Sequence, residues 1–312
     1  MLGKAILRGL GGRENISVLA LYRQPETGSG RGNASFLRAG NITEGTGDLT
    51  RAAEIASLLE EFAPTAIIHA AATGMQIPRP DAETLTKINV EMPLRLAEAA
   101  SHLDRCSFIH VSSGLAYRDQ GRPLRENDPL ETRHPYGASK AEAEKRLGKL
   151  ANESRLPITI VRPFSFTGEG DFGTRLFPSL LARAAAGKRF EMSAGDQVRD
   201  HSSVDDIAAG VTAAALLPPT IERARIFNLG RGDTRTLREL VTSVIDQLGL
   251  NMPVEFGAWP RADDEPMFVV PDMTHTANVL GWRARENVAH AVWQLAQQSF
   301  PSLKLREPAR TA

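Results

Sequence analysis

The apolar positions of the chain fall into short continuous runs separated by longer stretches with helical spacing. Leu2, Ile6, Leu7 and Leu10 lie on one helical face, and the first strand-like run, Val18-Leu19-Ala20-Leu21-Tyr22, comes only after them. Residues 24–46 are rich in Gly, Asn and Ser and predict a loop carrying one short strand. Compact apolar runs then recur at 65–72, 107–113, 157–163 and 225–230, and helical patterns cover 51–62, 83–101, 138 onward and 205–217. Runs this continuous predict strands buried on both faces, and their alternation with helices predicts an α/β fold with a doubly wound parallel sheet. From about Leu176 a smaller mixed α/β lobe is expected, with a helix over 176–187, a short strand over 188–192 and a helix over 236–248. Two amphipathic helices flanking Gly281-Trp282 close the chain.

Composition narrows the possible functions. The 312 residues carry 37 basic and 37 acidic side chains, a balance that argues against a nucleic-acid partner held by bulk charge. The single cysteine, Cys106, excludes an internal disulfide and a cysteine-rich zinc site, so no metal is expected and a reducing, cytoplasmic setting is. At the edge of a strand, Cys106 reads as a small core residue. The longest apolar run, Ile207 to Leu217, is far short of the ~20 residues a bilayer span needs, so no membrane association is expected. No internal repeat or low-complexity segment is present.

The candidate chemistry centres on Tyr136-Gly137-Ala138-Ser139-Lys140. Residues after Ala138 are good helix formers, so Tyr136 sits in a first helical turn with Lys140 one turn later on the same face. An ammonium beside a phenol favours the phenolate, and the spacing predicts a Tyr136 pKa drawn from ~10 toward neutrality. A tyrosine so placed can exchange a proton with an alcohol or carbonyl. Upstream, Ser107-Phe108-Ile109-His110-Val111-Ser112-Ser113 ends a buried strand in hydroxyls, where active-site groups of open α/β sheets collect, making Ser113 a third candidate.

With Arg162-Pro163-Phe164 ending the next strand, the set Ser113, Tyr136 and Lys140 resembles the extended short-chain dehydrogenase/reductase family, in its nucleotide-sugar epimerase/dehydratase branch. The resemblance covers almost the whole chain. It implies a Rossmann-type dinucleotide-binding domain over 1–163 and a substrate lobe over 164–312, with 204–230 returning to the cofactor sheet. Such a sheet opens with a strand and a Gly-x-x-Gly-x-x-Gly turn. Here Gly3 resembles the last glycine of that turn, and the strand and the other glycines do not precede it. Either the start codon is placed too late, with the missing strand and turn encoded in frame upstream, or the chain is truly shorter and binds cofactor weakly.

Further cofactor contacts follow from the resemblance. Arg23 stands where NAD-preferring members carry an acid, which leans toward NADP over NAD, against the alternative of a solvated loop arginine. Asp48 and Leu49 match the segment that reaches the adenine, although Asp48 equally suits a helix cap. Ala70 and Ala71, in the His-x-Ala-Ala pattern, would lie along the nicotinamide ribose, with His69 as a hydrogen-bonded structural group. Asn89 matches an asparagine that supports the helix.

For the substrate, a nucleotide sugar, Ser165 replaces a phosphate-contacting asparagine, which puts that contact in doubt. Arg199 matches a diphosphate-gripping arginine, the alternative being an ion pair with Asp196 or Asp200, and Arg261 is the second grip. His201-Ser202 replace the usual aromatic, and nothing in the sequence explains them. Dehydratases place an Asp-Glu pair after the hydroxyl residue, and Gly114-Leu115 here disfavour that reaction. Epimerase and 4-keto reductase share every named residue and stay open. A non-catalytic nucleotide-binding remnant is the competing reading, and a second copy of the chain, as a homodimer, is the protein partner considered.

Overall fold

The computed structural model describes residues 1–22, 40–47, 51–74, 78–220, 224–261 and 265–311. Its central sheet has four parallel strands, β3 (Ala66–His69), β4 (Ser107–Val111), β5 (Ile158–Pro163) and β10 (Arg225–Leu229), in the spatial order β10-β5-β4-β3. These are the continuous apolar runs of the sequence, and helices cover both of their faces. Helices α4 (Met92–Ala100) and α5 (Pro135–Glu153) pack Leu96, Ala97 and Leu147 against Phe108, Ile158 and Ile160 on one face. On the other, α1 (Leu2–Leu10) and α7 (Val204–Leu216) pack Ile6, Leu10, Ile207 and Val211 against Ile109, Val161 and Phe227. Cys106 is buried, and burial pushes its thiol up to about 11, as befits a core residue. The fold is therefore the doubly wound α/β arrangement that the alternating pattern predicts.

Strands β1 (Val18–Tyr22) and β2 (Ile42–Thr46) form a separate parallel pair, Val18 opposite Ile42 and Tyr22 opposite Thr46. Among the described residues no strand joins this pair to β3. Helix α1 lies against α7, and its first turn has no side-chain cap.

The smaller lobe is built on three short parallel pairs. They are β6 (Ser165–Thr167) with β9 (His201–Ser203), β7 (Phe190–Met192) with β11 (Val254–Phe256), and β8 (Val198–Arg199) with β12 (Phe268–Val269). Around them, α6 (Leu176–Ala185), α8 (Leu237–Leu248) and α10 (Val288–Ser299) share a core of Phe177, Leu181, Leu240, Val244, Val292 and Leu295. Thr236 and Glu239 cap α8 reciprocally, satisfying two otherwise orphaned amides. His201, unexplained by the sequence, meets the Phe177 ring edge-on with centroids 5.6 Å apart. Among the described residues no helix is long and apolar enough to cross a membrane.

Candidate active site

The site forms at the carboxyl ends of the central strands. Two residues beyond β4 the chain makes one tight turn over Gly114–Ala116, and the Ser113 hydroxyl caps it by accepting from the Leu115 amide at 3.1 Å. Helix α5 begins at Pro135, whose missing N–H costs nothing at a first helical position, and His134 Nδ1 accepts from the Gly137 amide at 3.5 Å. The turn and the helix start press together at Gly137. A Cβ there would lie 2.1 Å from the Leu115 carbonyl oxygen, so only glycine lets the first turn of α5 approach. Gly137→Ala is accordingly expected to shift Tyr136 out of register with Ser113 and to cut activity far more than it lowers the melting temperature. Activity and thermal unfolding measured side by side check this.

The Ser113 hydroxyl lies near enough to Tyr136 to lower the pKa of its phenol, so two candidate residues are brought together. The Tyr136 ring also packs on Gly74, where φ is +124° and a Cβ would come within 2.8 Å of the ring. Lys140 is almost wholly buried one turn further along α5. Its ammonium donates to the Val111 carbonyl at 2.7 Å, and burial pulls it down to about 8 against the opposing pull of Glu144.

The expectation that Lys140 draws the Tyr136 pKa toward neutrality is not met. Burial pushes the phenol up to about 12, opposed by the Arg175 charge and the Ser113 hydrogen bond. The Lys140 charge is instead felt by His69 and His110. Helical spacing placed the two side chains on one face, but the amine turns inward to a strand carbonyl, and sequence spacing carries no information on that choice.

Asn89 does more than support its helix. It lies wholly buried in a single π-turn over Lys87–Glu91 between two α-helical segments. Its amide clasps both backbone groups of Thr73, accepting from N–H and donating to C=O at 2.9 Å each, and donates to Ser139 Oγ at 2.9 Å. Ser139 in turn donates to the Tyr136 carbonyl at 2.8 Å. The loop after β3 is thereby tied to the first turn of α5, and a π-turn at such a junction is a common functional signature.

His69 also departs from expectation. It is buried without a hydrogen-bond partner at either ring nitrogen, as is His110, its register neighbour on β4, and the two rings stack with centroids 5.4 Å apart. Burial drives His69 down to about 3 and His110 well below its ordinary value. Groups held neutral by the fold contribute stability that is present above the unfolded pKa near 6.5 and is lost as pH falls below it. Each ring is expected to cost about 1.4 kcal/mol per pH unit on that acid limb. Urea unfolding between pH 7 and pH 5 should show the slope, and His110→Phe should flatten it.

The remaining candidates divide. Ala70 is half-buried and Ala71 exposed just past β3, a bare stretch of backbone beside the end of the strand whose last residue feels the Lys140 charge. Gly3 is exposed on the first turn of α1 with nothing within 4 Å of a Cβ placed there. Ser165 is half-buried in β6. Arg23, Asp48 and Leu49 lie outside the described residues.

Arg199 is buried, and its partner is neither Asp196 nor Asp200. The guanidinium donates to the Val198 carbonyl at 3.0 Å, to Glu265 at 3.3 Å and to the Pro266 carbonyl. Asp200 instead receives the backbone amides of Arg231, Gly232 and Asp233 and fixes the turn after β10. Arg261 is exposed and lines a cavity of about 300 Å³ with Ser193, Gln197 and Trp259. The positive charge of Arg261 is felt at Arg199 and repels it. A larger cavity, about 1000 Å³, is lined by Ala138 and Lys145 of α5, by Ile160 and Ile226, and by Asp119 and Glu265, and holds none of the hydroxyl–lysine set.

The residues present fit a nicotinamide dinucleotide. Small, open backbone follows β3, a buried ammonium and a phenol stand at the strand ends, and the first turn of α1 offers uncapped amides beside the open face of Gly3. The sequence model of the NAD dependent epimerase/dehydratase family matches residues 1–230. The chain belongs to this family.

Curated proteins resemble the chain along most of its length. The UDP-glucose 4-epimerase of Lactobacillus helveticus is 26% identical over 263 residues, covering 78% of this chain and 79% of the relative. The low-salt glycan biosynthesis protein Agl12 of Haloferax volcanii is 26% identical and covers 90% and 89%. Among solved structures, MoeE5 in complex with UDP-glucuronic acid and NAD superposes with a TM-score of 0.80 at 22% identity, covering 97% of this chain and 96% of that one. The UDP-glucuronic acid 4-epimerase of Bacillus cereus, also solved with NAD, gives 0.84 at 18% identity and 95% coverage of both. At these identities the superpositions establish the shared fold.

Three functional side chains escaped the sequence reading. Glu144 is a buried carboxylate one turn beyond Lys140, and its place among Ala143 and Leu147 on the apolar face of α5 was a legible signal. Arg175, at the start of α6, donates to Asp171 at 2.9 Å and to the Phe166 carbonyl at 2.7 Å, and its field reaches Tyr136. Glu265 holds Arg199. Neither of the last two had any sequence signal, because each meets its partner through tertiary contact alone.

Proposed function

We propose that this protein catalyses oxidoreduction at a hydroxyl- or keto-bearing carbon of a nucleotide sugar, as an epimerase or a 4-keto reductase. The observation that carries the reading is the approach of the Ser113 and Tyr136 hydroxyls at the carboxyl end of the sheet, with the Lys140 ammonium buried one turn further along α5. The cofactor, when bound, supplies the hydride acceptor and donor. Tyr136 exchanges the proton with the sugar oxygen, and Ser113 holds that oxygen in line. Lys140 and Tyr136, beside Ala70 and Ala71, would hold the nicotinamide ribose, and Gly3 would lie under the pyrophosphate.

A phenol near 12 is protonated at neutral pH, so Tyr136 is ready as a donor to a keto sugar. Acting as a base, it depends on nearby positive charge, of which Arg175 is the source felt at the phenol. Residues 164–312 would form the substrate lobe, with Arg199 and Arg261 toward the diphosphate and Ser165 at the position of a phosphate-contacting asparagine. Several of the similar solved structures contain NAD, which favours NAD, whereas Arg23 favours NADP; parallel titrations with the two separate them. The reading is tested by incubating the protein with UDP-glucose or UDP-glucuronic acid and NAD, and following the C4 epimer by proton NMR. A 4-keto sugar consumed only with a stoichiometric reduced nicotinamide would select the reductase.

A further inference from the structure

The geometry points to Glu265 as an internal counter-anion that occupies the phosphate-binding face of Arg199 and gives way when a nucleoside diphosphate enters. This rests on the nucleotide-sugar reading and names a determinant of that site's affinity. The Arg199 side chain is 8% exposed and that of Glu265 30%, so the carboxylate is the more accessible member of the pair, and it lines the larger cavity beside Asp119 and Pro266. One carboxylate oxygen, Oε1, accepts from Arg199 Nη2 at 3.3 Å and from Gln197 Nε2 at 2.9 Å. Gln197 lines the cavity of about 300 Å³ that also holds Trp259 and Arg261. A single side chain therefore links the buried cation to the wall of the neighbouring cavity.

The charges around Arg199 make the arrangement exchangeable. A guanidinium this buried needs a counter-charge, and leaving it unpaired is strongly unfavourable. Glu265 and Asp119 attract it and Arg261 repels it. Asp119 is committed elsewhere, accepting from the Met267 and Phe268 amides at 2.7 and 3.0 Å. Glu265 is half-buried, and its contact with Arg199 is the longer of its two. A diphosphate offers more charge and several strong acceptors to the two arginines, which a lone carboxylate cannot match. Its entry displaces the carboxylate toward solvent and frees the Gln197 amide to face the cavity. Affinity is then the difference between two occupants of one cation, and Glu265 sets the lower of the two.

The test is calorimetric titration of the full chain with UDP and, separately, with uridine. Glu265→Gln keeps an acceptor for Arg199 and Gln197 while removing the competing charge, and it is expected to bind UDP on the order of tenfold more tightly with uridine affinity unchanged. Structural damage would weaken both ligands together, so the UDP-to-uridine split is the diagnostic, with the melting temperature of each variant as a fold control. In an Arg199→Ala background the Glu265→Gln gain should vanish. UDP binding by the wild type with equal or weaker binding by Glu265→Gln overturns the counter-anion role alone. Failure of both proteins to bind UDP overturns the nucleotide-sugar reading and this role with it.

Discussion

Tyr136→Phe is expected to lower turnover of a nucleotide sugar by on the order of 10²-fold or more while leaving its affinity nearly unchanged. The substitution removes one oxygen and keeps the ring that packs on Gly74 and meets the His134 imidazole edge-on at 6.4 Å, so the first turn of α5 has no reason to move. What disappears is the hydroxyl beside Ser113, the group that under the proposed reading exchanges the proton in the transition state. Loss confined to that state lowers kcat and leaves ground-state binding alone. Single-turnover rates at saturating substrate, set beside the dissociation constant of the same sugar nucleotide, distinguish this from a damaged site. Near-normal turnover would mean that another group carries the proton.

The second large effect is on stability. Arg162 and Glu144 form a wholly buried pair joining β5 to α5, with Arg162 Nε donating to both carboxylate oxygens at 3.1 and 3.0 Å. Ser112 donates to the same carboxylate, and Arg162 also donates to the Glu126 carbonyl at 2.8 Å and to the Tyr117 hydroxyl, which donates to Asn228 at 2.7 Å. Removing one partner strands a charge away from water, so Glu144→Leu should cost about 3–5 kcal/mol. Replacing both with apolar residues removes the stranded charge as well, and Glu144→Leu with Arg162→Met should recover much of the loss. Urea unfolding of the single and double variants measures both steps, and a double variant as unstable as the sum of the singles would refute the account. The network lies directly below Lys140 and Ser113, so its rigidity also fixes the strand ends on which the site is built.

The chain's own pattern determined the architecture. Four continuous apolar runs separated by helical spacing could be satisfied only by strands buried on both faces, and those runs are β3, β4, β5 and β10. The same pattern put a helix at Leu2–Leu10 ahead of the first strand, and Gly-Trp between the last two helices. Tyr136 and Lys140 were legible because helical period is local, and Ser113 because a strand's end is where its continuous apolar run stops.

What only the tertiary structure decided is where each charge goes, because an ion's partner is set by elements far apart in the chain. Lys140 spends its ammonium on Val111, Arg199 meets Glu265 across 66 positions, and Arg175 reaches Tyr136 from the start of α6. His69 and His110 are brought into one stack by parallel pairing, and their neutrality follows from burial that no single segment dictates. Periodicity encodes which face of an element is covered; the pKa of a group depends on what covers it, and that is assembled only when the sheet, the catalytic helix and the smaller lobe close on one another.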